Sequence, residues 1–393
     1  TLVPVPAEGL KRLWQTDLGG RVSPVTVADG KVFVCEVDAH RVVALDAGTG
    51  GENWSFTAGG RVDTPPTIHQ GLALFGSADG WVQAVRASDG ELAWQRRVAP
   101  GHRLVGAYGQ LESAWPAHGS VLVLHPAGAP GEGGQDGTAY VVAGRSSYLD
   151  GGICAYALDP LTGVVRDRTV FYSPDPETGR QPAGDHRRIP GCLADILVTD
   201  GSAVYMRQQR VFGEEARAGF HVFATAGMRD GSWFNRTRWA VGAMNHAQLL
   251  VADAATGHGY GIKAYPSIQR WHFFHPGTQG YLLFSDAIEK KGDGKSEHRW
   301  QVRVPVRAKA MVLAGDVLFI AGPPDIFDPE DPLGPFEGRS GSVLAAHAVA
   351  DGKALAEYAL PGVPVFDGLA AAHGRLFIST RDGRVVCMGD KAK

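Results

Sequence analysis

Three carboxylates, a lysine and an arginine recur near one register position of this chain, and they are the residues whose types could do chemistry. Short apolar segments run into turn glycines at Gly30, Gly71, Gly119, Gly201, Gly315 and Gly374. Seven residues before those glycines stand Ser23, Thr64, Glu112, Ala194, Ala308 and Asp367. Six before them stand Pro24, Pro65, Ser113, Asp195, Lys309 and Gly368, with Arg307 one step away. Charge at equivalent positions of a repeat is costly inside a fold unless it is paired or wet. Two readings follow. In the first, Glu112, Asp195 and Asp367 form an ion-pair plug with Lys309 or Arg307. In the second, at least one carboxylate faces a wet mouth where Trp115, His118, Arg145, Tyr148 and Arg207 supply aromatic faces and fixed cations. Trp233, Asn235 and Arg236 extend that lining, which suits an anionic or sugar-like ligand or a loop of a partner protein. The plug is the preferred reading, and neither defines a reaction.

The elements that must position these residues are strands. The stretch Arg61 to Trp94 (RVDTPPTIHQGLALFGSADGWVQAVRASDGELAW) alternates like a four-stranded meander: Val62 to Ile68, Leu72 to Gly76, Trp81 to Ala87 and Leu92 to Val98. Gly71, Asp79-Gly80 and Asp89-Gly90 supply the tight turns. The pattern recurs from Arg21 to Trp54, from Leu111, from Cys192, from Val306 and from Val365, with a weaker copy between Ala243 and Arg303. One meander cannot bury both faces, whereas copies stacked radially can, so the expected fold is an all-β propeller of four-stranded antiparallel blades. Seven blades are expected; an eighth, with Tyr281 to Ser285 as one strand, is the alternative. Leu10 to Leu18 is a fourth strand with no blade before it and the last repeat has only three, so the N-terminal strand should close the last blade. One domain over 1–393 is expected, with long loops at about 99–110, 125–138, 172–190 and 323–341. In a propeller the first strand of each blade lines the axis, which is what would gather the charged positions.

The segment Ala44, Asp46, Thr49, Gly50 and Trp54 resembles the Ala-x-Asp-x-x-Thr-Gly-x-x-x-Trp hallmark of the PQQ-like (quinoprotein-type) repeat, degraded at Ala84, Arg86, Asp89, Gly90 and Trp94 and present without its tryptophan at Ala157, Asp159, Thr162 and Gly163. The resemblance spans nearly the whole chain. It implies a propeller whose Trp14, Trp54, Trp94 and Trp300 dock one blade on the next. The family includes quinone-dependent dehydrogenases and also cofactor-free propellers such as the bacterial outer-membrane-protein assembly lipoprotein, so the repeat implies a fold before it implies a function. The dehydrogenases commonly carry a vicinal cysteine pair beside the quinone, which this sequence lacks. No cofactor is therefore expected, with PQQ and calcium as the alternative.

Composition agrees with many short strands: 53 glycines, 24 prolines and 20% charged residues in 393. A net charge of -3 implies no nucleic-acid partner, and no apolar run is long enough for a transmembrane segment. The chain opens on Thr1, compatible with a processed precursor, so a periplasmic, cell-envelope or secreted location is expected from the resemblance. Of the four cysteines, only Cys154 and Cys192 belong to neighbouring repeats and could meet as a disulfide. Asp325, Asp328, Glu330, Asp331 and Glu337 crowd one loop, but prolines at 329, 332 and 335 break the calcium-loop spacing, so a solvated acidic loop is expected. His272 and His275 read as aromatic-rich packing. The function expected is a non-catalytic scaffold that binds a protein partner in a cell-envelope or extracellular assembly. The alternatives are a quinone-dependent or other channel-mouth oxidoreductase and a propeller that binds a small ligand.

Overall fold

The computed structural model describes residues 4–117, 119–125, 137–181, 191–199, 203–207, 209–213, 239–241, 244–253, 255–264, 280–288 and 298–390. The template repeat folds as a four-stranded meander, with its first strand shorter and later than Val62 to Ile68: strands Thr67–His69, Leu72–Gly76, Trp81–Arg86 and Leu92–Arg97 form one antiparallel sheet in chain order. The same meander is made by Thr26–Ala28, Lys31–Glu36, Arg41–Asp46 and Glu52–Thr57. Further four-stranded sheets start at Leu122, Leu249 and Ala310, and Leu197–Thr199, Ala203–Met206 and Gln209–Gly213 make a three-stranded one. The fold is all-β, and each such sheet is a propeller blade. Among the described residues the helix is a single turn, Gly334–Glu337.

The N-terminal strand closes the last sheet. Lys11–Asp17 pairs antiparallel with Arg384–Gly389, from Lys11 opposite Gly389 to Asp17 opposite Arg384, and completes the sheet of Pro364–Ala372 and Arg375–Thr380. An otherwise open edge is thereby covered.

The chain divides into two compact units, residues 1–32, 46–51 and 218–393, and residues 33–45 and 52–217. In the first unit, Phe319, Leu344, Leu376, Ile378 and Val386 sit in one core cluster, and Tyr260, Leu283, Leu318 and Ile320 in another. In the second unit, Leu74, Val82, Val141 and Leu158 fill one cluster, and Ile153, Val204 and Met206 another. Burial of each such side chain stabilises by about 1.5–3 kcal/mol.

The hallmark residues have visible tasks. Asp46 Oδ1 accepts hydrogen bonds from the Gly48 N–H, the Thr49 N–H and the Thr49 hydroxyl, and Asp159 Oδ1 does the same for Leu161 and Thr162. The Thr49 hydroxyl holds the Asp46 carboxyl below the usual carboxylate range. The glycine that ends each turn has positive φ and lies against a tryptophan of the preceding fourth strand. A β-carbon on Gly90 would stand 2.7 Å from Trp54, on Gly163 2.5 Å from Trp94, on Gly50 2.5 Å from Trp14 and on Gly352 2.6 Å from Trp300. Each indole N–H donates to the carbonyl three residues before that glycine: Trp14 to Ala47, Trp54 to Ala87, Trp94 to Pro160 and Trp300 to Val349, at 3.0–3.1 Å. The docking expected of these tryptophans is therefore a latch of one donor and one glycine face.

Several expectations are corrected. The stretch 99–110, read as a loop, carries the strand Leu104–Ala107, which pairs with Gln110–Ser113 around the turn Tyr108-Gly109. Both turn residues have positive φ, 50° and 74°, the twist a two-residue hairpin turn requires. Gly119 is not the turn glycine of the third meander: Leu122–Leu124 pairs with Thr138–Ala143, so Gly137, at φ 74°, holds that place. Cys154 and Cys192 do not form a disulfide; all four thiols are free. The loop 323–341 is held by ion pairs rather than merely solvated: Asp325 is buried against Arg307, and Asp331 and Glu337 both pair with Arg339.

Candidate functional site

In the second unit the structure brings together two groups of the expected site residues. Glu112 lies on the inner strand of the hairpin rather than at a blade start, because the register counted from Gly119 is not the one the strands adopt. It is 1% exposed and stands between two arginines: Arg61 Nη1 is 2.7 Å from Oε1, and Arg145 Nη2 donates to Oε2 at 2.9 Å. Arg145 also donates to the Ser113 carbonyl at 3.2 Å. Arg61, 2% exposed, donates to both oxygens of Asp63, at 2.7 and 3.2 Å, and lies 4.0 Å from the Tyr108 ring. Burial alone would lower the Arg61 pKa, and the bonds to Asp63 and the charge of Glu112 more than offset it. A buried guanidinium persists only with such partners.

The second group joins the segment after strand Thr138–Ala143 to the segment before Leu197–Thr199. Ser146 bridges Leu193, the Ser147 N–H donates to the Cys192 carbonyl at 2.9 Å, and the Cys192 N–H donates to Ser147 Oγ at 2.8 Å. Ser173 Oγ donates to Ser147 Oγ at 2.7 Å. Asp195, buried, faces Arg207 Nε at 3.2 Å, and Arg207 sits at φ 53° just after strand Ala203–Met206. Burial pushes the Cys192 thiol up, against the lowering effect of Ser147 and Arg207. Arg145 Nε and the Tyr148 hydroxyl are buried without a hydrogen-bond partner among the described residues. Trp115 donates to the Asp150 carbonyl at 2.7 Å, with Arg103 5.5 Å from its ring. His118, Trp233, Asn235, Arg236, His272 and His275 lie outside the described residues.

In the first unit Arg307 is buried, 3.1 Å from Asp325 Oδ1, and its guanidinium lies 3.4 Å from the Phe336 ring. Burial lowers its pKa. The Lys309 N–H donates to the Ala321 carbonyl, and the Lys309 carbonyl accepts from the Asp367 N–H at 2.9 Å. Asp367, at φ 60°, is an exposed residue whose carboxyl is nonetheless desolvated, which pushes it up to about 6. Sequence reasoning missed Arg61, Asp63 and Asp325 as ion-pair partners. Arg61 was legible as a signal, since Arg-Val opens both of the first two repeats at Arg21 and Arg61.

The donor set can orient and hold, but offers little for acid–base work, since Glu112 and Asp195 are committed to arginines. Among the described residues no three metal-ligating side chains come together.

A family model described as outer membrane protein assembly factor BamB matches residues 6–185. A curated relative, outer membrane protein assembly factor BamB of Moranella endobia, is 28% identical over 100 residues, 22% of this chain and 26% of the relative. The match thus spans about a quarter of that relative's length. Among solved structures, quinohemoprotein alcohol dehydrogenase from Comamonas testosteroni aligns over 98% of this chain and 77% of its own, with TM-score 0.54 and 15% identity. Quinohemoprotein alcohol dehydrogenase ADHIIG from Pseudomonas putida aligns over the same shares, with TM-score 0.53 and 13% identity. At these identities the likeness to the two dehydrogenases is one of fold.

Proposed function

We propose that this chain, a β-propeller of PQQ-like repeats, is a non-catalytic interaction module that binds a protein partner in a cell-envelope or extracellular assembly. The observation that carries this reading is the commitment of the site's carboxylates: Glu112 is held by Arg61 and Arg145, and Asp195 by Arg207, so both serve to brace loops rather than to move protons. The match of residues 6–185 to an outer-membrane-protein assembly factor supports a periplasmic setting. Among the described residues no helix is long and apolar enough to cross a membrane. The test is cross-linking of the full chain in envelope fractions of the organism that encodes it, followed by identification of the linked proteins. Specific, saturable partners are expected. Dye reduction on addition of quinone and calcium, with an alcohol as electron donor, would overturn the reading in favour of an oxidoreductase.

A second reading is favoured by one observation, the Arg145 Nε and Tyr148 hydroxyl, which have no hydrogen-bond partner among the described residues. Two buried donors suit a small anionic or sugar-like ligand with acceptor oxygens. Native mass spectrometry of the purified chain tests it. A bound mass lost in Arg145→Ala is the expected outcome, and identical spectra for both proteins would remove it.

A further inference from the structure

The hairpin of Leu104–Ala107 and Gln110–Ser113 stands apart from the blades: among the described residues its strands pair only with each other. A two-stranded hairpin is marginal in water, so something must hold it. The anchors lie on the inner strand and the turn. Glu112 binds Arg61 and Arg145, Tyr108 covers Arg61, and Gln110 meets His40 Nε2 at 2.6 Å and donates to the Asp38 carbonyl at 3.0 Å. The outer strand has no such ties. Leu104 and Gly106 are exposed, Val105 and Ala107 half-buried, and among the described residues no strand covers the far edge.

What the hairpin presents is apolar. Gly106 faces Leu111 across the pair, which puts Leu104 and Leu111 on one face, 59% and 71% exposed, with Tyr108 69% exposed at the tip. Along the chain its flank is basic: from Arg96 to Leu111 there are three arginines and a histidine and no acid, although Arg103 is paired with Asp150 and Arg96 donates to the Gly163 carbonyl. A rigidly anchored edge with exposed large side chains is what proteins avoid unless something docks there.

We propose that the free edge of Leu104–Ala107 receives an extended segment of a partner polypeptide in which apolar residues alternate with acidic ones. The proposal rests on the interaction-module reading above. The incoming backbone continues the ladder, its apolar side chains cover Leu104 and Leu111, and its carboxylates meet the arginine flank. Gly106 has nothing within 4 Å of where its β-carbon would be, so a partner side chain can settle over it. An anionic membrane would also meet basic and apolar groups, but hydrocarbon leaves the edge N–H and C=O groups unpaired, whereas a strand satisfies them.

The test uses the full chain and fluorescein-labelled octapeptides that alternate valine with glutamate, beside matched valine–lysine peptides. Polarisation should show the glutamate peptides binding at least ~tenfold tighter. Amide exchange at 104–107 should slow on binding. Leu104→Ser with Leu111→Ser, exposed positions that leave the core intact, should weaken binding ~tenfold. Equal binding of both peptide sets overturns the proposal, as does binding without protection at 104–107. Hairpin-dependent sedimentation with phosphatidylserine vesicles, in the absence of peptide binding, assigns the surface to lipid and likewise overturns it. If the double variant still cross-links to the partners of the wild type while the peptides fail, only the hairpin assignment falls. If neither protein cross-links to any partner, the interaction-module reading falls with it.

Discussion

At the residue scale, Glu112 is the pivot of the second unit's ion pairs. Removing it leaves Arg61 with Asp63 alone and strips Arg145 of its carboxylate, in surroundings where Arg61 is almost fully enclosed. Glu112→Ala should cost about 3–5 kcal/mol in urea unfolding, the range for breaking a buried pair by removing one partner. A loss below about 1 kcal/mol, typical of exposed pairs, would show the network to be solvent-screened. Asp367 is the opposite case. Desolvation is what acts on its carboxyl, pushing it up to about 6 from the ordinary 3.8. The folded chain holds this proton more tightly than the unfolded one, so its contribution to stability is full below about pH 4 and is lost as pH rises through 6. Asp367→Asn keeps the left-handed backbone, which asparagine tolerates, and should remove that loss. Melting curves from pH 3.5 to 7.5 check this: the variant should gain on the wild type as pH rises, and parallel profiles would refute the assignment.

At the scale of the element, the latch between a fourth-strand tryptophan and the next turn glycine is the joint that repeats. Trp54→Ala removes a buried ring and leaves the Ala87 carbonyl without its indole donor, with an expected cost of about 3–5 kcal/mol. Gly90→Ala should destabilise by at least ~1 kcal/mol, because its φ of 78° is strained for alanine and its β-carbon would press on the Trp54 ring. The two losses together should come to less than their sum, since without the ring the clash at residue 90 is relieved and only the strain of alanine at positive φ remains. A double-mutant cycle measures that coupling, and strict additivity would mean that the ring and the glycine do not share a joint.

For the molecule as a whole, the joining of its two chain ends in one sheet is the consequential feature. Deleting residues 1–17 removes the strand opposite Arg384–Gly389 and takes Trp14 from Gly50, so the last sheet regains an open edge. The truncated chain should melt lower than the full one and aggregate with increasing concentration, as unprotected edges do. Equal melting temperature and monodisperse scattering at high concentration would show that the N-terminal strand is dispensable.

Most of the strand order could be read from the amino acids, because alternation and turn chemistry are local: a glycine at positive φ after an Asp-x-x-Thr turn declares itself within five residues, as Asp46 to Gly50 does. The N-terminal strand was legible for a similar reason, since a fourth strand without a blade and a blade without a fourth strand have one consistent pairing. The hairpin was not legible, because Tyr108-Gly109 is an unusual pair for a tight turn and glycine-rich flanks look like a loop. Nor was the register of the third meander, where a connection of 125–137 separates strands that elsewhere meet in a few residues and makes Gly119 a false landmark. The sequence by itself determined which residues are charged, which turns are tight and which rings are available to dock. Only the tertiary structure decided that Glu112 answers to Arg61 and Arg145, Asp195 to Arg207 and Arg307 to Asp325, because an ion pair is chosen by distance in space, and those distances depend on insertions that carry no period.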